Sequence, residues 1–363
     1  MKPMTASPSF PESRGIQIAS ERDARPAAIS AAPEAPVAAR KVPRNPALDF
    51  TKGALVVIMV LYHWLNYFVA VGGFGYRYLR FLTPSFIFIT GFFVSHVYLA
   101  KYDIADRRLP RRLLERGLKL VAIFFALNLA IALLVRGGMA SLIGDWAAYL
   151  TGKAGDSRAA FSVLLPIGYL LILSAGLVVL SRLFGKALQV GSIVLLVAAL
   201  ILSMIGQSNA YLELVAIGML GICVGYLPIE RTNGVVRHPF WLGLAYAGYL
   251  AAITVWNEQF FLQVAGVCLS VAIIYALGMQ SDEPGRVRKA ILLLGQYSLL
   301  GYIAQIVVLQ VLRRGLRLVD PIQVRAALGL VLGMALTLLA VGLVDRGRRS
   351  FRIVNKVYSA VFA

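Results

Sequence analysis

Residues 48–66 read Leu-Asp-Phe-Thr-Lys-Gly-Ala-Leu-Val-Val-Ile-Met-Val-Leu-Tyr-His-Trp-Leu-Asn. Asp49 and Lys52 mark a charged start, and from Gly53 to Leu61 every side chain is apolar or absent. A helix rises 1.5 Å per residue, so about 20 such residues cross roughly 30 Å of hydrocarbon. Runs of that length recur along the chain, separated by short polar stretches. Hydrophobic types make up 59% of the 363 residues and charged types 15%, against roughly 45–50% and about 25% in soluble domains. The pattern excludes a soluble globular protein. It predicts an all-α polytopic membrane protein, with one transmembrane domain over residues 47–363. Residues 1–46, rich in Pro, Ala, Ser and Arg, have no periodicity and no signal-peptide run. They read as a disordered cytoplasmic tail.

About ten spans are expected, starting near Lys52, Arg80, Arg116, Phe161, Ala187, Tyr211, Pro239, Phe260, Arg288 and Val324, with Ser141–Leu150 at the outer surface. The net charge of +19 then has a topological explanation rather than a nucleic-acid partner. Lys and Arg accumulate in loops that stay cytoplasmic. With both termini inside, the segments Lys101–Lys119, Ser181–Lys186, Pro228–His238, Gln280–Lys289 and the end beyond Asp345 all face the cytoplasm and carry most of the cations. One outer segment disagrees, since Arg313, Arg314, Arg317 and Arg325 fall outside. These four either anchor to anionic headgroups or meet an anionic acceptor.

Few residues carry chemistry. Cys223 and Cys268 lack metal-ligand spacing and read as small apolar fillers. The three histidines do not cluster, so no metal site is expected. His63 lies eleven residues past Lys52, about 16 Å along a helix and near mid-membrane. An ionisable group at that depth is either functional or held by a specific partner. As a function it suggests a base; as structure, a neutral imidazole hydrogen-bonded between helices. Ser85 and Thr90 on the next span lie at a similar depth. Ser298, Tyr302 and Gln305 fall on one face of a later span, where they bond between helices or line a wet cavity. Arg108, Arg111 and Arg112 suit phosphate binding as forked guanidinium groups, or serve topology alone.

Lys52 and His63 bracket ten residues, which resembles the Arg/Lys-x10-His signature of the acyltransferase-3 family of transmembrane acyltransferases. Leu48–Gly53, Phe86–Phe92, Gly218–Gly221 and Gly295–Tyr302 are similar to segments of that family. They also resemble its relatives, the glucan succinyltransferases and heparan-glucosaminide acetyltransferase-like proteins. The likeness covers about residues 44–362. It implies acyl transfer, O-acetylation for example, at the plasma (inner) membrane. The donor would be acyl-CoA, a co-substrate rather than a permanently bound cofactor. The acceptor would be a periplasmic glycan, glycolipid or other lipid in the cell envelope. By position, His63 matches the family's essential histidine, as base or acyl carrier. Lys52 is its basic partner with Asp49 beside it, and Arg108 and Arg111 match an Arg-x-x-Arg pair that binds donor. A histidine common in the family near Gln305 is missing here. The rival expectation is a transporter or flippase with His63 in a proton or polar pathway.

Overall fold

The computed structural model describes residues 45–69, 73–131, 133, 150–151, 161–207, 209–256, 259–280 and 285–362, and no β-strand occurs among them. The expectations for the tail before residue 45 and for an outer segment over 141–149 lie outside the described residues.

The first helix, α1 (Pro46–Trp64), starts where chemistry allows it to. The Asn45 side chain accepts from the amides of Ala47 at 2.9 Å and Leu48 at 3.4 Å. Pro46 needs no partner for the amide it lacks, and Asp49 faces the positive end of the helix dipole. At the other end α1 passes into a π-helical turn over Leu65–Val69. After a four-residue helix, Gly73–Tyr76, the next long helix, α2 (Leu82–Phe93), also ends in a π turn, Val94–Leu99. The remaining helices are α3 (Arg108–Ile131), α4 (Leu164–Phe184), α5 (Ala187–Met204), α6 (Ala210–Gly225), α7 (Ile229–Val236), α8 (Pro239–Val255), α9 (Phe260–Met279), α10 (Arg286–Gln296), α11 (Ser298–Gly315), α12 (Ile322–Ser350) and α13 (Arg352–Phe362).

Among the described residues seven helices are long and apolar enough to cross a membrane, or eight if the bent pair α6–α7 counts as one span. The expectation of about ten meets specific obstacles. Helix α3 begins with a run of arginines, and α8 has only 17 residues. The span expected from Arg288 is broken at Tyr297 into α10 and α11. The Arg-rich segment expected as a loop is also different, because α3 is helical from Arg108 onward. Leu109, Leu113, Gly117 and Leu120 are buried along it, which is the helical spacing of a packed face.

The bundle is drawn together by glycines at crossings where no side chain fits. A Cβ on Gly53 would run into the Ile291 carbonyl, and one on Gly295 into that of Asp49, so α1 and α10 meet backbone to backbone. Helices α2 and α6 do the same through Gly91 against Gly218 and Gly221 against Phe88. Small residues at such crossings permit close packing where lipid offers no hydrophobic drive. Buried hydroxyls are mostly spent on their own helices: Thr51 donates to Ala47 O at 2.8 Å, Ser85 to Phe81 O at 2.7 Å and Thr90 to Phe86 O at 2.8 Å. That back-bonding satisfies a polar group without water. Outward faces are apolar, as on α5, where Val190, Ile193, Val194 and Ile201 are all exposed.

Candidate active site

The end of α1 that bears His63 opens on a cavity of about 970 Å³. His63, Asn66 and Tyr67 from α1 and its π turn line it, together with Thr83, Glu213, Tyr302, Gln310 and a group of arginines. His63, Asn66 and Tyr67 stand three and four residues apart, so one face of the helix carries all three to the cavity. The His63 ring meets Tyr62 edge-on, with centroids 5.2 Å apart, and stacks near Tyr67 at 5.7 Å and 27°. Those are ring contacts only. Among the described residues no hydrogen bond or ion pair to the imidazole is formed, so the expected interhelical bond is not what holds this histidine.

A second cavity, about 230 Å³, lies deeper toward the Lys52 end of the bundle. Thr90, Arg116, Lys119, Ser298 and Tyr302 line it, and Val361 and Phe362 of α13 reach it too. Tyr302 and Val163 stand on the walls of both cavities. The Tyr302 side chain is wedged between Phe86 and Phe161, with ring centroids 6.4 and 6.3 Å away. It therefore forms part of the partition between a cationic chamber and the chamber of His63.

The other residues singled out in the sequence fall in several places. Ser298 and Tyr302 share a cavity with Thr90, whereas Ser85 is fully buried against its own helix and lines neither. Gln305 is also fully buried, and both atoms of its amide lack a partner. Lys52 and Asp49 form an ion pair at 2.7 Å, with Lys52 also over the Phe93 ring at 4.9 Å. That pair sits about 16 Å from His63 along the helix, so the structure does not bring Lys52 or Asp49 to the imidazole. Arg108 is exposed; Arg111 bonds Glu115 at 2.8 Å on the surface. Arg112 covers the Tyr102 ring at 5.0 Å. None of the three lines either of these cavities. The α3 cations that line the smaller one are Arg116 and Lys119, four and seven residues past Arg112 and on its face of the helix. Asn66, Tyr67, Glu213 and Gln310 escaped the sequence reading, although Asn66 lies one turn from His63 and Gln310 two turns from Tyr302. No group of three or more His, Cys, Asp or Glu among the described residues is arranged to hold a metal ion.

The helices and the cavities define a multi-pass, all-helical membrane protein whose polar side chains converge inside the bundle. The chain belongs to the acyltransferase-3 family, whose acyltransferase domain matches residues 45–346. It is accordingly a membrane acyltransferase. No curated protein and no solved structure matches it significantly.

Proposed function

We propose that the protein moves an acyl group from cytosolic acyl-CoA to a hydroxyl, or an amine, of an envelope carbohydrate or lipid-linked sugar, with His63 as the general base. In this reading the chain crosses the plasma membrane about ten times with both termini cytoplasmic. The Lys52 end then faces the cytoplasm and the His63 cavity faces the periplasm. The observation that carries the proposal is an imidazole on a polar cavity wall with no hydrogen-bond or ion-pair partner among the described residues. A histidine kept for packing at that depth would be hydrogen-bonded.

The two cavities suit two substrates. Arg116 and Lys119 at the inner one favour the phosphates of the donor, and its narrow apolar interior suits the pantetheine arm. The arm leads the thioester toward Tyr302. The acceptor enters from the other side, and its hydroxyl gives its proton to an imidazole nitrogen of His63. The acceptor oxygen bonds to the thioester carbon, the carbon–sulfur bond breaks, and the departing thiolate takes the proton back from the imidazolium. Tyr302, shared by both cavities, is the nearest donor for the oxyanion that develops between those events.

Labelled acetyl-CoA and purified protein test the proposal. His63→Gln keeps a hydrogen-bonding side chain but no base. It should lower turnover by about 10²–10⁴-fold while membrane insertion and donor affinity stay near wild type. A His63→Gln protein that still transfers at the wild-type rate overturns it.

A further inference from the structure

The His63 cavity has a lopsided charge. Arg80, Arg313, Arg314 and Arg317 line it, and among the described residues Glu213 is the single carboxylate of its walls. Arg313, Arg314 and Arg317 are exposed, and among the described residues none of them has an acidic partner. Their placement also runs against topology: at the periplasmic end of the bundle an excess of Lys and Arg is selected against, and elsewhere in this chain the cations concentrate at the opposite end. Arg313, Arg314 and Arg317, kept at the disfavoured end, gathered on one cavity and without counter-ions among the described residues, are arranged for an anion that arrives from outside.

We infer that the acceptor is anionic, a carbohydrate bearing a phosphate or carboxylate close to the hydroxyl that is acylated. The inference rests on the acyl-transfer reading above. The geometry links charge to chemistry through one ring. The Arg313 guanidinium lies 5.6 Å from the Tyr67 ring, and that ring lies 5.7 Å from the imidazole of His63. The cation is thus within about 11 Å of the base, the sum of those two distances being its upper limit. An anionic group on the reacting sugar or its immediate neighbour spans that gap. Forked guanidinium groups bind phosphate and carboxylate in two-point fashion, which fixes orientation as well as attraction and so selects one hydroxyl for His63. Tyr67 thus touches both the arginine and the imidazole, which couples anion binding to the position of the base.

The experiment compares glucose, glucose 6-phosphate and glucuronic acid as acceptors for labelled acetyl-CoA, with the full chain reconstituted in phosphatidylcholine vesicles. The charged sugars should be acylated with KM values at least ~10-fold below that of glucose, the ratio that one charge-assisted hydrogen bond produces. That preference should shrink as salt rises. The triple variant Arg313→Gln, Arg314→Gln, Arg317→Gln should lose it, with the change in the KM of the charged acceptor and not in that of the donor. The triple Lys variant, which keeps charge without the fork, should retain the salt dependence if the Gln protein fails to fold. Equal KM values for glucose and the charged sugars overturn the inference, as does a preference that survives the Gln variant. A further arm adds phosphatidylglycerol to the vesicles. If that lipid alone stabilises the wild type and not the triple variant while no charged sugar is preferred, the arginines hold headgroups and the inference fails. Thioester cleavage that ignores His63 would instead defeat the acyl-transfer reading, so the two failures are distinct.

Discussion

Replacing Gln305 with leucine should make the protein more stable and less active. Gln305 is fully buried on α11, one turn past Tyr302, and its Nε2 and Oε1 atoms both lack partners. Burying an amide without compensation costs roughly 1–3 kcal/mol. The lower half of that range is appropriate in a membrane, where polar groups of the unfolded state also find partners and interhelical bonds average about 0.6 kcal/mol. Leucine fills nearly the same space without polar atoms, so Gln305→Leu should gain about 1 kcal/mol. That corresponds to a rise of about 1–2 °C in melting temperature for a chain of this size. Gln305 lines neither cavity, so in the proposed mechanism it acts on the chemistry only by setting the position of Tyr302 one turn away. A shift there that costs the developing oxyanion one bond should cut turnover about tenfold, near 1.4 kcal/mol. Thermal melting followed by tryptophan fluorescence, with turnover on the same samples, reads both changes. A Gln305→Leu protein that melts several degrees lower has lost a partner that the amide was using, and the reasoning would fall.

Other perturbations separate the roles assigned above. Arg116→Gln combined with Lys119→Gln should raise the apparent KM for acyl-CoA at least ~10-fold with a smaller effect on turnover at saturation, because phosphate contacts remote from the thioester are largely uniform binding. Arg108→Gln with Arg111→Gln removes exposed charges outside the cavities and should change that KM by less than about threefold; steady-state kinetics on both pairs decide which cations hold donor. Lys52→Met removes the 2.7 Å ion pair to Asp49, which is only 5% exposed. It should lower folded yield by at most the ~3–5 kcal/mol typical of a broken buried pair, while turnover per folded molecule persists; inactive but well-folded protein would return Lys52 to the chemistry. Reporter fusions after Lys119 and after Gln259 should give opposite signals, and identical signals would exclude the proposed orientation.

Apolar length alone placed α1, α2, α4, α5, α9 and α12, since a run of such residues has few alternatives to a spanning helix. The depth of His63 followed from counting residues at 1.5 Å each. What counting cannot supply is rotation. Which way His63 looks depends on how α1 rolls against α10, and that roll is set by the carbonyl contacts of Gly53 and Gly295. The segments Gly218–Gly221 and Gly295–Tyr302 were legible as resembling the family; their glycines are packing devices. The arginines of α3 were read as a loop because charge dominates that stretch. The spacing of Leu109, Leu113, Gly117 and Leu120 carried the helical signal all along. Gln310 and Glu213 belong to the site through tertiary folding only, and nothing local to either residue announces it.

The π turn after His63 has a consequence for insertions and deletions. Trp64 Nε1 donates to Ala326 O at 2.7 Å just before the turn, and Phe68 lies against Gly329 near its end. Both ends are therefore pinned to α12, and the π turn between them accommodates one extra residue. Deleting one residue of Leu65–Val69 removes that surplus and lets the turn revert to α-helix, whereas inserting one rotates the chain beyond it by about 100°, the angle of a single α-helical residue. After an insertion Tyr67 would leave His63, and the cavity would lose a wall while the first half of α1 kept its place. The segment is thus asymmetric in length: it can give up a residue more easily than it can take one in.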